Sequence, residues 1–224
     1  MTLDIIWYGH SCFRLTERGQ MTVVTDPYAP SIGLPELKLK ADVVTVSHAE
    51  PGHNYIDAVK GMQRVIQTPG EYEIGGTFIT GIAMHNIDEA SGMARSNIAY
   101  RVQFDSGLTV LHLGDVAALP DQSIVRDLGE VHVLLIPVGG GAGLKPGLAA
   151  EVIAMIEPGH VIPMHYALPG LAFELEPLDK FLKAMGVSRV NEQDTLKLNS
   201  PNDMPEQPQI TVLIPQMKSE QNAR

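Results

Sequence analysis

The chain has 224 residues, of which 44% are hydrophobic, so it has enough apolar material for one large α/β domain with a buried core. Its formal net charge of −10 and its scattered Lys and Arg residues disfavour nucleic acid as a partner, because binding through phosphates requires a basic face. No apolar run reaches the roughly 20 residues that cross a bilayer, and the start lacks the pattern of a secretory signal. A cytoplasmic protein without a membrane partner is therefore expected.

Period-two alternation and β-branched runs predict that the first half of the chain consists mainly of strands. In chain order, these strands are expected at 3–8, 11–15, 21–25, 41–47 and 65–66, followed by a pair of strands around a Gly-Gly turn over 70–81. A break at Gly9-His10 separates the first two, and a loop is expected over 30–40. The segment 54–61, which ends in glycine, is predicted to form a short helix.

The second half of the chain mixes strands with helices. Asp105-Ser106-Gly107 predicts a hairpin turn between two strands. The expected strands are 97–104, 108–112, 131–137, 161–163 and 210–214, and the expected helices are 120–128, 147–156 and 175–185. No linker or short repeat divides the chain, so a single domain is predicted over residues 1–216, followed by a disordered tail over 217–224.

Several histidines and one aspartate lie just past the ends of predicted strands, where loops can gather polar side chains around one point. They are His48, His53, His85, Asp115 and His165. One such histidine alone is usually only a solvated or hydrogen-bonded residue, but the joint pattern is not easily produced by chance. Imidazole and carboxylate are ligands that zinc prefers. The pattern therefore predicts a metal centre.

Other polar residues are better explained without a ligand role. His112, His132 and His160 lie in or beside apolar strands, and we interpret them as non-ligands. Cys12 is more simply a small buried hydrophobic residue than a nucleophile. For the remaining candidates two interpretations stay open: anion binding or an exposed charged loop for Arg95 and Asn97, and a supporting or an exposed position for Glu71 and Glu73.

Six segments carry a family resemblance through their order and spacing. They are Trp7-Tyr8-Gly9-His10-Ser11-Cys12-Phe13, Thr25-Asp26-Pro27, Ser47 to His53, Leu113-Gly114-Asp115, Ile136-Pro137-Val138-Gly139-Gly140, and Pro163-Met164-His165-Tyr166. Together they resemble the metallo-β-lactamase superfamily, with Ser47 to His53 standing where that family has His-x-His-x-Asp-His. The likeness is greatest to its bacterial metal-dependent hydrolases, the branch that includes L-ascorbate-6-phosphate lactonase-like proteins.

The resemblance implies an α/β fold, a four-layer αββα sandwich of the metallo-β-lactamase type. It implies one metal seat with His48 and His85, a second with His53 and His165, and Asp115 shared between them. One or two divalent ions are expected, zinc first, with manganese or magnesium as alternatives. Such ions polarise a carbonyl or phosphoryl oxygen and lower the pKa of a bridging water.

The chain departs from the family motif at two positions. Glu50 replaces the second histidine; it can still bind a metal through oxygen and would favour manganese or magnesium. Gly52 replaces the aspartate and offers no side-chain ligand. His10 is expected near the site as an extra ligand or an acid–base group, and it joins Asp115 as a predicted catalytic residue. Asp26 is expected to orient a ligating histidine.

Two functions follow from this interpretation. The first is a metal-dependent hydrolase that uses a metal-activated water on a small-molecule ester, lactone or phosphoester. The alternative, suggested by Glu50 and Gly52, is a catalytically impaired protein of the same fold that acts as a ligand-binding or partner-binding module. A homo-oligomer is expected in either case.

Overall fold

The computed structural model describes residues 1–87, 94–190 and 192–217, with side chains at all of these positions except 85–87 and 94. Its strands, in chain order, are β1 (Leu3–Trp7), β2 (Phe13–Glu17), β3 (Val23–Thr25), β4 (Leu39–Lys40), β5 (Val43–Thr45), β6 (Val59–Lys60), β7 (Arg64–Ile66), β8 (Gly70–Ile74), β9 (Thr77–Ile87), β10 (Ala94–Gln103), β11 (Thr109–His112), β12 (Val133–Pro137), β13 (His160–Met164), β14 (Glu192–Gln193), β15 (Leu196–Leu198), β16 (Gln209–Ile210) and β17 (Val212–Leu213). Its α-helices are α1 (Gln122–Leu128), α2 (Pro146–Ile156) and α3 (Leu178–Ala184). Single turns of 3-10 helix cover Pro30–Ile32, Ile56–Ala58 and Pro201–Asp203.

Two large sheets form the body of the molecule. The first has six strands in the order β15-β1-β2-β3-β5-β7, and the second has seven in the order β16-β13-β12-β11-β10-β9-β8. Each sheet is antiparallel in one part and parallel in the other, with β3-β5-β7 and β11-β12-β13 as parallel strands. Because parallel strands end at the same edge of a sheet, the loops that follow them lie near one another.

One hydrophobic core lies between the two sheets. Burial alternates along β1, so Leu3, Ile5 and Trp7 share its buried face. These residues belong to the same buried cluster as Val110 and Leu134 of the second sheet. Burying a side chain of this size contributes about 1.5–3 kcal/mol. The sheets therefore pack face to face, and the predicted two-sheet sandwich is confirmed.

The α-helices connect and cover the parallel part of the second sheet. Helix α1 joins β11 to β12, and α2 joins β12 to β13. All five residues of β12 are buried, as expected of a strand that is covered on both faces. Helix α2 begins at Pro146, whose fixed φ suits the first helical position. The three helices predicted in this half are confirmed, although α3 is shorter than expected because it begins only after Pro177.

The helix predicted over 54–61 is wrong. Only the turn Ile56–Ala58 is helical, in the tighter 3-10 form, and Val59–Lys60 pairs as β6 with β4. The backbone N–H of Tyr55 donates to the carbonyl of Pro27 at 2.7 Å, which ties this segment to a neighbouring loop. A second apolar cluster lies beneath these segments. The outer layer beside the six-stranded sheet is thus built mainly from loops and short turns.

The end of the chain is attached to the first sheet as far as Gln216, whose backbone N–H donates to the carbonyl of Trp7 at 2.8 Å. Residues 218–224, most of the predicted tail, lie outside the described residues. In the ranges that the structure describes, no helix has both the length and the hydropathy needed to cross a bilayer.

Candidate metal centre

Five buried polar side chains meet where strands of the two sheets end. They are His10 after β1, His48 and His53 after β5, Asp115 after β11 and His165 after β13. None of them is more than 8% exposed. The ring centroids are 4.0 Å apart for His48 and His53 and 4.2 Å apart for His10 and His165. Residues from four separate loops thus form one cluster.

The donor atoms of this cluster form two overlapping groups. Nitrogens of His10, His53 and His165 lie within 4.8 Å of one another, and so do donor atoms of His48, His53 and Asp115. Nε2 of His165 is 3.5 Å from Oδ1 of Asp115, so the two groups are in contact. The arrangement differs from the expected pairing, in which His53 belonged to one seat only. His53 lies between the two groups and belongs to both.

The backbone is held in an unusual conformation at three residues of the site. His10 and His165 have φ values of 51°, and Asp26 has a φ of 39°. Positive φ is uncommon for residues other than glycine and persists only where surrounding contacts hold it. Those contacts are present for His10, whose carbonyl accepts hydrogen bonds from Trp7 Nε1 and from the backbone N–H of His165, each at 3.1 Å. The two loops therefore hold each other in place.

Asp26 orients His53, as the sequence predicted for it. Its Oδ2 lies 2.8 Å from Nδ1 of His53, in a fully buried position. Ser47 donates to the same carboxylate twice, from its backbone N–H at 2.8 Å and from its hydroxyl at 2.6 Å. Since Nδ1 of His53 is engaged, Nε2 is the nitrogen available for a ligand.

Burial sets the protonation of the histidines. It lowers the pKa of His10 and of His53 well below the usual value of 6.5, and neighbouring imidazoles lower both further. Burial lowers the pKa of His48 as well. A neutral imidazole keeps the lone pair that a metal ion requires. These side chains are therefore in the ligand form near pH 7.

Arg95 lies inside the site on β10, so the exposed charged loop is wrong for it, and the binding of an anion stays a prediction. Its Nη1 donates to Oδ2 of Asp115 at 2.8 Å, and its Nη2 is 2.7 Å from Oε1 of Glu50. Nη2 also lies 3.2 Å from Nε2 of His48. Burial lowers the pKa of Arg95, but Asp115 and Glu50 outweigh this and raise it. A permanent positive charge therefore belongs to the centre.

Asn97 supports Asp115 from the same strand as Arg95. Its Oδ1 accepts a hydrogen bond from the backbone N–H of Asp115 at 2.9 Å, and its Nδ2 donates to the carbonyl of Leu113. Arg95 and Asn97 are two positions apart on β10, so both point to one face of the sheet. This i, i+2 spacing was the sequence signal for their shared role, and it was missed because the strand was expected to begin only at 97.

Among the described side chains, the predicted ligand Glu50 belongs to neither donor group. Glu50 is about half exposed and contacts Arg95, with its Oε2 3.7 Å from Nε2 of His48. The prediction that His85 follows a strand end is wrong, because β9 continues to Ile87 and the backbone of His85 pairs within it with Ser96. Its side chain lies outside the described residues. A ligand role for His85 stays a prediction.

The residues interpreted as non-ligands have structural contacts instead. Both ring nitrogens of His112 are engaged, with Nε2 2.9 Å from the carbonyl of Ser11 and Nδ1 accepting from the backbone N–H of Gly114. His132 contacts Thr109, and His160 contacts Thr211. Cys12 is fully buried, and burial raises the pKa of its thiol, so it is a core residue as predicted. Glu71 and Glu73 are exposed.

Comparison with known proteins shows what this architecture is similar to. The family model described as a β-lactamase superfamily domain matches residues 4–165. A UPF0173 metal-dependent hydrolase from Methanoculleus marisnigri is 31% identical over 211 residues, which cover 84% of this chain and 92% of that protein. A second UPF0173 metal-dependent hydrolase, from Koribacter versatilis, is 25% identical over 227 residues and covers 86% and 97%.

Solved structures agree with the same fold. A crystal structure from Thermotoga maritima, described as a Zn-dependent hydrolase of the metallo-β-lactamase superfamily, is 34% identical with a TM-score of 0.75 and covers 94% of this chain and 98% of that one. The metallo hydrolase Igni18 from Ignicoccus hospitalis has a TM-score of 0.67 at 20% identity, over 89% of this chain and 99% of that one, and so shares the fold. The predicted metallo-β-lactamase fold is confirmed. The finer likeness to lactonases stays a prediction.

Proposed function

Because the chain belongs to the β-lactamase superfamily, we propose that it is a metal-dependent hydrolase that cleaves a small ester, lactone or phosphoester. The observation that carries this proposal is the pair of overlapping donor groups, which share His53 and lie at the converging strand ends. The acidic chain favours a small molecule over a nucleic acid as substrate.

The residues of the centre fit a divalent cation. Nδ1 of His10 and Nδ1 of His165 are buried, and neither has a hydrogen-bond partner within the described part of the chain. Leaving a buried polar atom without a partner costs about 1–3 kcal/mol, and a coordinated cation offsets that cost. Three imidazoles with a carboxylate nearby are a donor set that zinc prefers, so zinc is the ion we expect. Manganese or magnesium would require more oxygen ligands.

A divalent ion bound here would polarise a carbonyl or phosphoryl oxygen and lower the pKa of a water. The protein contributes the orientation and the charge around it. Asp26 fixes the ring of His53, Asp115 supplies a buried negative charge, and Arg95 supplies a fixed positive charge that can stabilise an oxyanion. Phe173, 42% exposed, lies edge-on against His10 at 5.7 Å, so a partly exposed apolar ring borders the centre.

Metal analysis of the purified protein, combined with activity measurements, tests this function. We expect bound metal and turnover of generic lactone or phosphodiester substrates that a chelator abolishes and zinc restores. His53→Ala should remove both the metal and the activity. His132→Ala should keep both, because His132 belongs to neither donor group and contacts Thr109 instead. Absence of bound metal together with chelator-insensitive or absent turnover would refute the proposal.

The ion pairs of Arg95 favour a second candidate function. They engage Asp115 and Glu50, two of the carboxylates that a metal would otherwise use. A protein whose site is closed by such pairs would act as a ligand-binding or partner-binding module of the same fold. The metal measurement separates the two candidates, because a binding module of this kind would remain metal-free when zinc is supplied.

A further inference from the structure

The geometry points to a centre that holds a single divalent cation on the imidazoles of His10, His53 and His165. The guanidinium of Arg95 then takes the place of a second cation beside His48 and Asp115. This inference rests on the proposed metal-dependent function and adds the number of ions and the identity of their ligands. Two independent observations carry it, one at Gly52 and one at Arg95.

The ring of His10 occupies the space of the side chain that the motif lacks. A Cβ atom at Gly52 would lie 2.8 Å from Nε2 and 3.2 Å from Cδ2 of His10, both shorter than ordinary van der Waals contacts. Position 52 is where the family motif has its aspartate ligand. Glycine at this position and histidine at position 10 are therefore complementary, because a larger residue at 52 would displace the ring.

His10 is presented to the centre by the fold. The residue is 1% exposed, its backbone is held at positive φ, and the centroid of its ring lies 4.9 Å from that of His53 and 4.2 Å from that of His165. Its Nδ1 has no hydrogen-bond partner among the residues that the structure describes. A buried imidazole in this setting has a ligand's environment, so His10 replaces the missing aspartate as the third ligand.

The hydrogen bonds around His48 direct its free nitrogen to Arg95. The hydroxyl of Ser47 donates to Asp26 and so accepts from Nδ1–H of His48, 3.0 Å away. This tautomer leaves Nε2 of His48 as an acceptor, and Nη2 of Arg95 lies 3.2 Å from it. The lone pair that would bind a metal at His48 is engaged by the guanidinium.

The guanidinium of Arg95 already neutralises part of the negative charge on this side of the centre. Arg95 pairs with Asp115 at 2.8 Å and with Glu50 at 2.7 Å, with 16% of its own side chain exposed. An arginine keeps its positive charge in proteins. A divalent ion placed between His48 and Asp115 would have to displace the guanidinium or lie next to it, and like charges repel strongly in a buried site. The cation therefore binds on the opposite side, at the three imidazoles.

Counting metal equivalents tests the inference in the full-length protein. Chelator-treated protein is titrated with Co²⁺, followed by its absorption spectrum, and the bound zinc and cobalt are counted by mass spectrometry. We expect one equivalent per chain. His10→Gln should weaken binding by more than the roughly 10–100-fold that loss of an orienting partner costs. His160→Gln is the matched control, since His160 is also buried but contacts Thr211, and it should bind as the wild type does.

A second pair of variants tests the role of the guanidinium. Arg95→Met should bind a second equivalent of metal, with lower affinity than the first, because the substitution removes the positive charge and keeps most of the length of the side chain. Arg101→Met, on the same strand and with a partner at Gln103, should stay at one equivalent.

The outcomes distinguish the two proposals. Two equivalents in the wild type with chelator-sensitive turnover would overturn this inference and leave the hydrolase standing, and no bound metal would overturn both. Unchanged affinity and cobalt spectrum in His10→Gln would refute the ligand set. A single equivalent in folded Arg95→Met would refute the role of the guanidinium. The wild-type count requires no variant, so a variant that fails to fold does not remove the test.

Discussion

At the scale of single residues, the centre depends on side chains that do not themselves belong to the donor groups. Asp26 has no place in either group, yet its carboxylate contacts His53 and receives two hydrogen bonds from Ser47. Such a partner fixes the tautomer and the direction of a ligand. The affinity of the centre for metal is therefore expected to depend on Asp26 almost as strongly as on the histidines.

We expect Asp26→Asn to lower zinc affinity by about 10–100-fold, because an amide that donates toward Nδ1 of His53 favours the wrong tautomer. Competition with a chromophoric chelator measures this change. The exposed Asp121 provides the matched control, since its side chain makes no capping hydrogen bond to α1 and Asp121→Asn should leave zinc affinity unchanged. Equal affinities of the Asp26 variant and the wild type would show that orientation is unimportant here.

At the scale of elements, the pairing of the parallel strands fixes the relative positions of the loops that carry the site. Strand β12 is buried along its whole length and lies between β11, which precedes Asp115, and β13, which precedes His165. The relative position of these two side chains is thus set by backbone pairing on either side of one strand. A change in the packing of β12 is expected to lower the free energy of unfolding. It should affect the site only as a consequence of that loss of stability.

Leu134→Ala should lower the free energy of unfolding by about 2–5 kcal/mol, because it removes a fully buried leucine from β12 and leaves a cavity. Urea unfolding measures the change. Leu119, 40% exposed, is the matched leucine, and Leu119→Ala should change stability by less than about 0.5 kcal/mol. Similar losses in the two variants would contradict the assignment of the shared core.

At the scale of the whole molecule, buried neutral histidines couple stability to pH. Burial lowers the pKa of His112, His132 and His160 below the usual value of 6.5. It does the same for His10, His48 and His53 in the centre. The unfolded chain takes up protons near pH 6.5, whereas the native state resists protonation until the pH is lower. This difference makes the unfolded state the one that binds more protons in acid.

Metal-free protein is therefore expected to have its full stability above about pH 6.5 and to lose it as the pH falls from there through the lowered native pKa values. Each pKa unit of difference corresponds to about 1.4 kcal/mol. Urea unfolding at pH 8 and at pH 5, in the presence of chelator, measures the loss. His160→Gln should reduce the difference between the two pH values, and a wild-type stability that is independent of pH would contradict the expectation.

Much of the fold was accessible from local patterns. The alternation along β1 and the β-branched run of β5 were sufficient to predict strands, because a strand's side chains report directly which face is buried. The segment 54–61 was predicted wrongly, since its backbone hydrogen bonds go to a loop that is distant in the sequence. Local propensity contains no information about that partner.

The sequence by itself determined that His48, His53, Asp115 and His165 follow strand ends, because that placement depends only on where each strand stops. It also showed that the motif lacks an aspartate at Gly52. Only the tertiary structure decided what compensates for that loss. The ring of His10 lies against Gly52, and the guanidinium of Arg95 lies between Asp115 and Glu50, because sheet packing and strand pairing bring together residues that are far apart in the chain.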